Sequence, residues 1–331
     1  MKAKNTLPEK MKAAVICEDK SMKYTEVPFP ELKENEVIIK IKAAGVNRAD
    51  LMQREGNYPP PPGWLEWPGL EVSGTIYAIG EKAAEKSSFK IGERVTALVG
   101  GGGYAEYIAA DYKTVLHLPE EISFETGAGI PEAYATAYLN LVFEGGLKSG
   151  DTVFVFAAAS GVGIAVIQIA KALGAKVIAA VRSDEKAETV KNIGADIVIN
   201  TKKQPAELAF EEYGADIVID CVGGSDMGKC FSRMNRFGRW IVIAALAGKY
   251  SEIDLETVYK KRLKIIGSTL RSRTDDEKYE ILKKLEKDIF PLIAVGKIKP
   301  FIYAEYDIAD VENAHKTMLE NKNTGKIILK V

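Results

Sequence analysis

Residues 153–186 read VFVFAAASGVGIAVIQIAKALGAKVIAAVRSDEK, and this stretch decides the fold. An apolar burst runs into a turn of small residues, a periodic segment follows, and a second apolar burst closes it. Ile164, Val166, Ile167, Ile169 and Ala170 recur at helical spacing, so GVGIAVIQIAKALG reads as a helix between two buried strands. Ala158, Ser160 and Gly163 occupy the three glycine positions of the pattern G-x-G-x-x-G. That pattern serves close approach of backbone to a pyrophosphate at a helix N-terminus, where N–H groups and the helix dipole favour an anion. Alanine and serine are small enough for this wherever the turn does not demand a positive φ. Ser160 can add its hydroxyl, and Gly163 keeps helix close to strand. The alternative is a plain tight turn between strand and helix.

The surroundings favour the nucleotide loop. From residue 122 to 271 the apolar runs TVFVFA, KVIAAV, DIVIN, DIVIDCV, RWIVIAAL and KIIGSTL are separated mainly by helical segments. Apolar strands alternating with helices indicate a parallel sheet covered on both faces, and six of them complete a doubly wound, Rossmann-type domain. From Met11 to about Pro119 the rhythm differs: MKAAVI, EVIIKIKAAGV, SGTIYAIG, ERVTALV and YAEYIAA are short runs punctuated by turn residues, which predict a curled, mostly antiparallel sheet. The tail from Arg273 holds a long charged helix, TDDEKYEILKKLEKDIF, and the strand KIILK. It is too small to fold alone and is expected to complete the first domain. The expected division is 1–127 with 273–331, and 128–272.

Composition limits the function classes. A chain of 331 residues suggests about two domains. It is 47% hydrophobic and 27% charged, with 45 basic and 46 acidic residues, so no basic excess points to nucleic acid or an anionic membrane. No apolar run approaches the roughly 20 residues that span a bilayer. The start of the chain carries Lys2, Lys4, Glu9 and Lys10 without a signal-peptide pattern, and Cys17, Cys221 and Cys230 form no disulfide framework. A cytoplasmic protein is the expectation.

The end of the second strand selects between dinucleotides. An acidic residue there would bind the adenosine ribose and repel a 2′-phosphate. Here the tip carries Arg182 and Ser183, with Lys186 one turn into the next segment. Two cations and a hydroxyl favour NADPH over NADH. Asp184 and Glu185 blur that signal or serve as first-turn acids of the next helix, and Arg182 and Lys186 can also be read as solvated surface charges.

The stretches AAGVNRADLMQREGNYPPPP, PGLEVSGTIYAIG, GGGYAEYIA, PEAYATAY, AAASGVG, STLRSR and AHKTMLENKNTGKIIL follow one another over nearly the whole chain. In that order they resemble the zinc-free medium-chain dehydrogenase/reductases of the quinone oxidoreductase group. The resemblance implies a GroES-like, mostly β catalytic domain built from both chain ends, with the Rossmann domain inserted in it. It implies that Asn47, Asp50 and Tyr58 face nicotinamide and substrate, and that Thr136 lies near the nicotinamide. Ser160, Gly161, Val162 and Gly163 would hold the pyrophosphate, and Ser183 and Lys186 the 2′-phosphate. Gly223 and Gly224 would close the fourth strand and Ala244 the fifth; Leu270 and Arg271 match a loop over the nicotinamide, and Asn323 a carboxy-terminal contact. Thr201 stands where related reductases often carry a tyrosine against the adenosine. The resemblance also implies a homodimer joined through RWIVIAALAG and the segment after it.

Zinc-dependent members of the wider family need a cysteine after GVN and a histidine in GHE. Arg48 or a neighbour and Leu70 hold those places, and the only histidines are His117 and His315, so no metal site is expected. Without a Lewis acid, alcohol oxidation gives way to acceptors that take hydride readily. Three functions follow: an NADPH-dependent quinone reductase; a reductase of α,β-unsaturated carbonyls or enoyl thioesters, favoured if Arg48, Arg54 and lysines bind acyl-carrier phosphate; or a non-enzymatic NADPH-binding protein, as in crystallin-like relatives. Tyr58, before the stiff run Pro59–Pro62, reads as an aromatic platform for a flat acceptor or as ordinary loop packing. Asp50 reads equally as a catalytic carboxylate or as a helix-terminal, salt-bridged one.

Overall fold

The structure, a computed structural model, describes residues 8–331. Two strands, β1 (Lys10–Ile16) and β2 (Met22–Pro28), form an antiparallel pair. A larger sheet follows from β3 (Glu36–Val46), β4 (Glu71–Ile79), β5 (Arg94–Leu98), β6 (Tyr107–Asp111) and β7 (Val115–His117), with helices α1 (Arg48–Arg54), α2 (Glu81–Lys86) and α3 (Phe124–Gly127) in its connections. Val37, Ile39 and Ile41 alternate along β3 into a core shared with Val72, Ile76, Val95 and Ala97. That period of two is what binds a sheet to one buried face. The polar strand β2 and the three-residue β7 carry too little apolar signal to stand out in the sequence.

Beyond α4 (Pro131–Tyr138) lies the parallel sheet: β8 (Thr152–Val155), α5 (Gly161–Ala172), β9 (Lys176–Val181), α6 (Asp184–Ile193), β10 (Ile197–Asn200), α7 (Ala206–Tyr213), β11 (Ile217–Asp220), α8 (Ser225–Phe231), β12 (Arg239–Val242), α9 (Leu255–Lys261) and β13 (Lys264–Gly267). All six expected strands are present. Their order, β10-β9-β8-β11-β12-β13, is that of a doubly wound dinucleotide-binding domain. Its core centres on buried Trp240, stacked on Phe210 (centroids 5.8 Å) and donating its indole N–H to Asp220 Oδ2 at 3.0 Å.

The chain returns through α10 (Asp275–Ala294), β14 (Ile302–Asp307), α11 (Val311–Leu319) and β15 (Lys326–Lys330). The last two strands extend the first large sheet, giving β14-β15-β3-β4-β5-β7 with β6 also on β3. Two compact units result. One takes the described part of Met1–Glu132 with Arg271–Glu286 and Ile302–Val331; the other takes Ala133–Leu270 with Lys287–Phe301. Lys287–Phe301 thus differs from the expected division, which gave the whole tail to the first domain. Its contacts explain this: Asp288 Oδ2 accepts the Tyr138 hydroxyl at 2.5 Å, and the Lys299 carbonyl accepts Gln168 Nε2 at 2.7 Å. Residues 128–132, expected in the nucleotide domain, belong to the first unit. There Ala128 packs on Ala43 and Ile328.

Candidate functional site

In the nucleotide unit the turn after β8 places its one positive φ at Ala157 (48°), one residue before the first position of the fingerprint. Ala158 and Ser160 therefore need no left-handed backbone, which is why side chains are tolerated there. Ser160 caps α5, its Oγ accepting the Gly163 N–H at 3.0 Å. Gly161 and Val162 lie in the first turn, where amides have no helical acceptor. A Cβ on Gly163 would lie 2.5 Å from the Ala158 carbonyl oxygen and 2.7 Å from that of Ala157. The glycine lets the helix start against the turn, so donors converge where an anion binds. These residues fit a pyrophosphate.

At the tip of β9, Ser183 caps α6 and Arg182 is exposed. The Ser183 Oγ accepts the Lys186 N–H at 3.3 Å. Asp184 is turned to Lys203 (2.6 Å) and Asn200 (3.0 Å), so its charge is matched on that side. Thr201 donates its hydroxyl to the Val181 carbonyl at 3.2 Å. After β11, Asp220 Oδ1 accepts the N–H groups of Val222 (2.7 Å) and Gly223 (3.0 Å), folding back the turn at Gly223 and Gly224. Ala244 follows β12, part-exposed, and Leu270 is buried. Thr136 lies on α4, its carbonyl accepting Asn140 Nδ2 at 2.7 Å.

In the catalytic unit, Asn47 caps α1 and is held by both ends of its amide. Its Nδ2 donates to Glu71 Oε1 at 3.0 Å and its Oδ1 accepts Lys326 Nζ at 2.8 Å. Lys326 also donates to the Val46 carbonyl and pairs with Glu71. Glu71 and Lys326 are both buried in the protein. A Cβ on Gly45 would strike Glu71 Oε1 and the Ala128 carbonyl, both at 2.4 Å, so a glycine makes room for the pair. The side-chain carbonyl and amide of Asn47 are thereby fixed by one cation and one anion.

Asp50 is fully buried. It accepts from the N–H groups of Asn47 (2.7 Å) and Gly69 (2.9 Å) and from the Tyr104 hydroxyl (3.0 Å). Burial still pushes its carboxyl up to about 6. Asp50 closes the first turn of α1 and holds the Asn47 N–H. Tyr104 passes the contact on to buried His315 (3.3 Å), whose imidazole burial pulls down to about 3.

Tyr58 is part-exposed, and Arg271 underlies it. The guanidinium lies 4.7 Å from the ring centroid and donates to the Tyr58 carbonyl at 3.2 Å. Its other N–H groups bind the Gly100 carbonyl (3.0 and 2.7 Å) and Gln53 Oε1 (2.7 Å). Arg271 thus clamps the Tyr58 loop. Asn323 lies near the start of β15, its Nδ2 on the Gly325 carbonyl at 3.0 Å. Arg48 donates to the Met318 carbonyl and Asn321, and Arg54 to Glu312 and the Lys20 carbonyl.

Glu71, Lys326, Tyr104 and Gln53 escaped sequence reading, although a signal existed. An acid inside PGLEVSG and a lysine opening an apolar strand each require a buried partner. Leu70 is part of the apolar core, and among the described residues no three His, Cys, Asp or Glu side chains gather as a metal would need.

Comparison with known proteins matches the fold. Residues 33–120 match the alcohol dehydrogenase GroES-like domain, and residues 161–287 match the zinc-binding dehydrogenase family. Human quinone oxidoreductase is 35% identical over 309 residues, 92% of this chain and 91% of that one. The zebrafish synaptic vesicle membrane protein VAT-1 homolog is 32% identical, over 91% of this chain and 65% of its own length. A mycobacterial protein solved in complex with NADPH superposes with a TM-score of 0.83 at 27% identity, covering 97% of this chain and all of that one.

Proposed function

Because the chain belongs to the medium-chain dehydrogenase/reductase family, in its quinone oxidoreductase group, we propose that it transfers hydride from NADPH to a quinone without a metal. One observation carries the reading: the Asn47 amide is pinned between Glu71 and Lys326, while a stacked Tyr58–Arg271 pair stands in the same unit. Bound NADPH supplies the hydride. The chain supplies orientation, through the fixed Asn47 amide and the Tyr58 ring, which suits a flat conjugated acceptor. Leu70, where zinc relatives carry histidine, supports chemistry without a Lewis acid. Ser160–Gly163 would hold the pyrophosphate, and Ser183, Lys186 and Arg182 the 2′-phosphate.

The contacts of Arg48 and Arg54 weaken the thioester alternative, since both guanidinium groups tie α1 and its flank to the segment around α11. A screen of NADPH and NADH oxidation over ortho-quinones, para-quinones and enones tests the assignment. Turnover of an ortho-quinone with NADPH supports it; turnover confined to enones transfers the chain to the second class, and none leaves only NADPH binding.

The nucleotide sheet ends at β13, which pairs only with β12 and exposes Ile265. Leu246, Tyr250, Leu255 and Tyr259 are exposed in the neighbouring sequence. Such an open apolar edge supports a homodimer, and a monomer in sedimentation at micromolar concentration would contradict it. No helix among the described residues is long and apolar enough to cross a membrane; a cytoplasmic location is part of the same proposal.

A further inference from the structure

Glu132 lies in the first turn of α4 and adjoins the buried Glu71 carboxylate. Its backbone N–H donates to Glu71 Oε2 at 2.9 Å. The other Glu71 oxygen takes Asn47 Nδ2 and Lys326 Nζ. The Glu132 carboxyl feels the charges of both Glu71 and Lys326, and the Lys326 ammonium is engaged by Glu71, Asn47 and the Val46 carbonyl. The remaining charged and titratable groups in range are Asp50 on α1, Arg271, and Tyr58. Asp50 is turned to Gly69, Asn47 and Tyr104, while Arg271 is turned to Gly100, Gln53 and Tyr58. Among the described residues, the part-exposed Glu132 carboxyl has no ion-pair or hydrogen-bond partner of its own.

An anion at that position is opposed by burial and by Glu71. The first turn of α4 favours one by only about 0.3–1 kcal/mol, and the opposing effects win. The carboxyl is pushed from its ordinary 4.5 up to about 8, with burial the larger cause and the Glu71 charge the next.

We propose that Glu132 is the acid of the reaction, its neutral carboxyl delivering the proton to the oxygen of the reduced acceptor. This rests on the quinone-reductase reading above. The hydride brings an electron pair from NADPH and leaves negative charge on the acceptor oxygen. A new O–H bond forms there as the Glu132 O–H bond breaks. The carboxylate left behind regains its proton from water, which the part-exposed side chain reaches, and Lys326 and Arg271 ease its brief charge. Other groups serve less well. Glu71 and Asp50 are fully buried and bonded through both oxygens. The Tyr58 phenol is pushed above its ordinary value by burial, which makes it the weaker acid.

The test is a pH profile of kcat on one ortho-quinone, joined to unfolding of the cofactor-free chain. The acid form is the active one, so wild-type turnover falls as pH rises through about 8. Glu132→Gln should lose that limb and lower kcat on the order of 10²-fold, and Glu132→Asp should restore the limb with part of the rate. Without cofactor, the folded chain keeps a proton that the unfolded chain releases above 4.5. Wild-type stability should therefore decline relative to Glu132→Gln as pH rises from 4.5 to about 8, then run parallel to it. Turnover of Glu132→Gln with an unchanged alkaline limb overturns the proposal, as do parallel stability curves throughout. Absence of turnover on every quinone and enone defeats the functional reading and the donor role with it. The stability curves report the protonation of Glu132 in either case, so the two failures are distinct.

Discussion

The phosphate turn and the Asn47 cluster solve different physical problems. The turn at residues 157–163 binds through backbone, and its requirements are small residues and one close approach at Gly163. The cluster is held through side chains from β3's end, β4 and β15 with a backbone N–H from α4, and its requirement is charge balance in a buried setting. A backbone site tolerates Ala158 and Ser160 in place of glycine because neither position needs a positive φ. A charge-balanced site tolerates much less, since every member answers for a neighbour's unpaired charge.

The largest effect should come from breaking that balance. Lys326→Met leaves Glu71 buried without its cation and should cost about 3–5 kcal/mol of stability, read by denaturant unfolding. Adding Glu71→Gln removes the stranded charge and should recover most of the loss. A single variant within about 0.5 kcal/mol of wild type would show that the pair is not what holds Asn47.

A smaller loss should follow at the turn. Gly163→Ala places a methyl against the Ala157 and Ala158 carbonyls, and overpacking of that kind typically costs about 1–3 kcal/mol. The helix must retreat, so NADPH affinity should fall with it. Unchanged affinity, measured by calorimetry, would make this turn ordinary strand-to-helix geometry.

Legibility in the sequence follows the same divide. TVFVFA, the small-residue turn and the five later apolar runs are local signals, and all six strands stand where the pattern put them. Asn47, Asp50 and Tyr58 were reached by resemblance, yet the roles of Asp50 and Arg271 depend on partners distant in sequence, Gly69, Tyr104, Gly100 and Gln53. No spacing rule joins residue 71 to residue 326. The tail was likewise read as one piece, whereas Asp288 and Lys299 bind side chains of the nucleotide unit.

The adenosine end sharpens the comparison at lower energy. Lys186→Ala should weaken NADPH about tenfold, roughly 1.4 kcal/mol for one charge-assisted contact, and leave NADH nearly unchanged. Equal losses for both cofactors would show that Lys186 does not touch the phosphate. Selection would then rest on Arg182 and Ser183.

The smallest effect is expected at Tyr58. Its ring is stacked on Arg271 and its carbonyl is bound by the same guanidinium, so the side chain is fixed through its face and its backbone. Tyr58→Phe keeps both and should hold kcat within about threefold, less than 1 kcal/mol. Tyr58→Ala removes the platform and should mainly raise KM, the mark of lost uniform binding. Arg271→Lys loses the planar fork that reaches Gly100, Gln53 and Tyr58 together, so it should follow Tyr58→Ala rather than Tyr58→Phe. Asn47→Ala should instead lower kcat, because it removes an orienting amide. Measured on one ortho-quinone, these variants separate a positioning tyrosine from an acidic one. A collapse of kcat in Tyr58→Phe would move the proton from Glu132 to the phenol and make the stacked ring, rather than the charge cluster, the chemical centre of the catalytic unit.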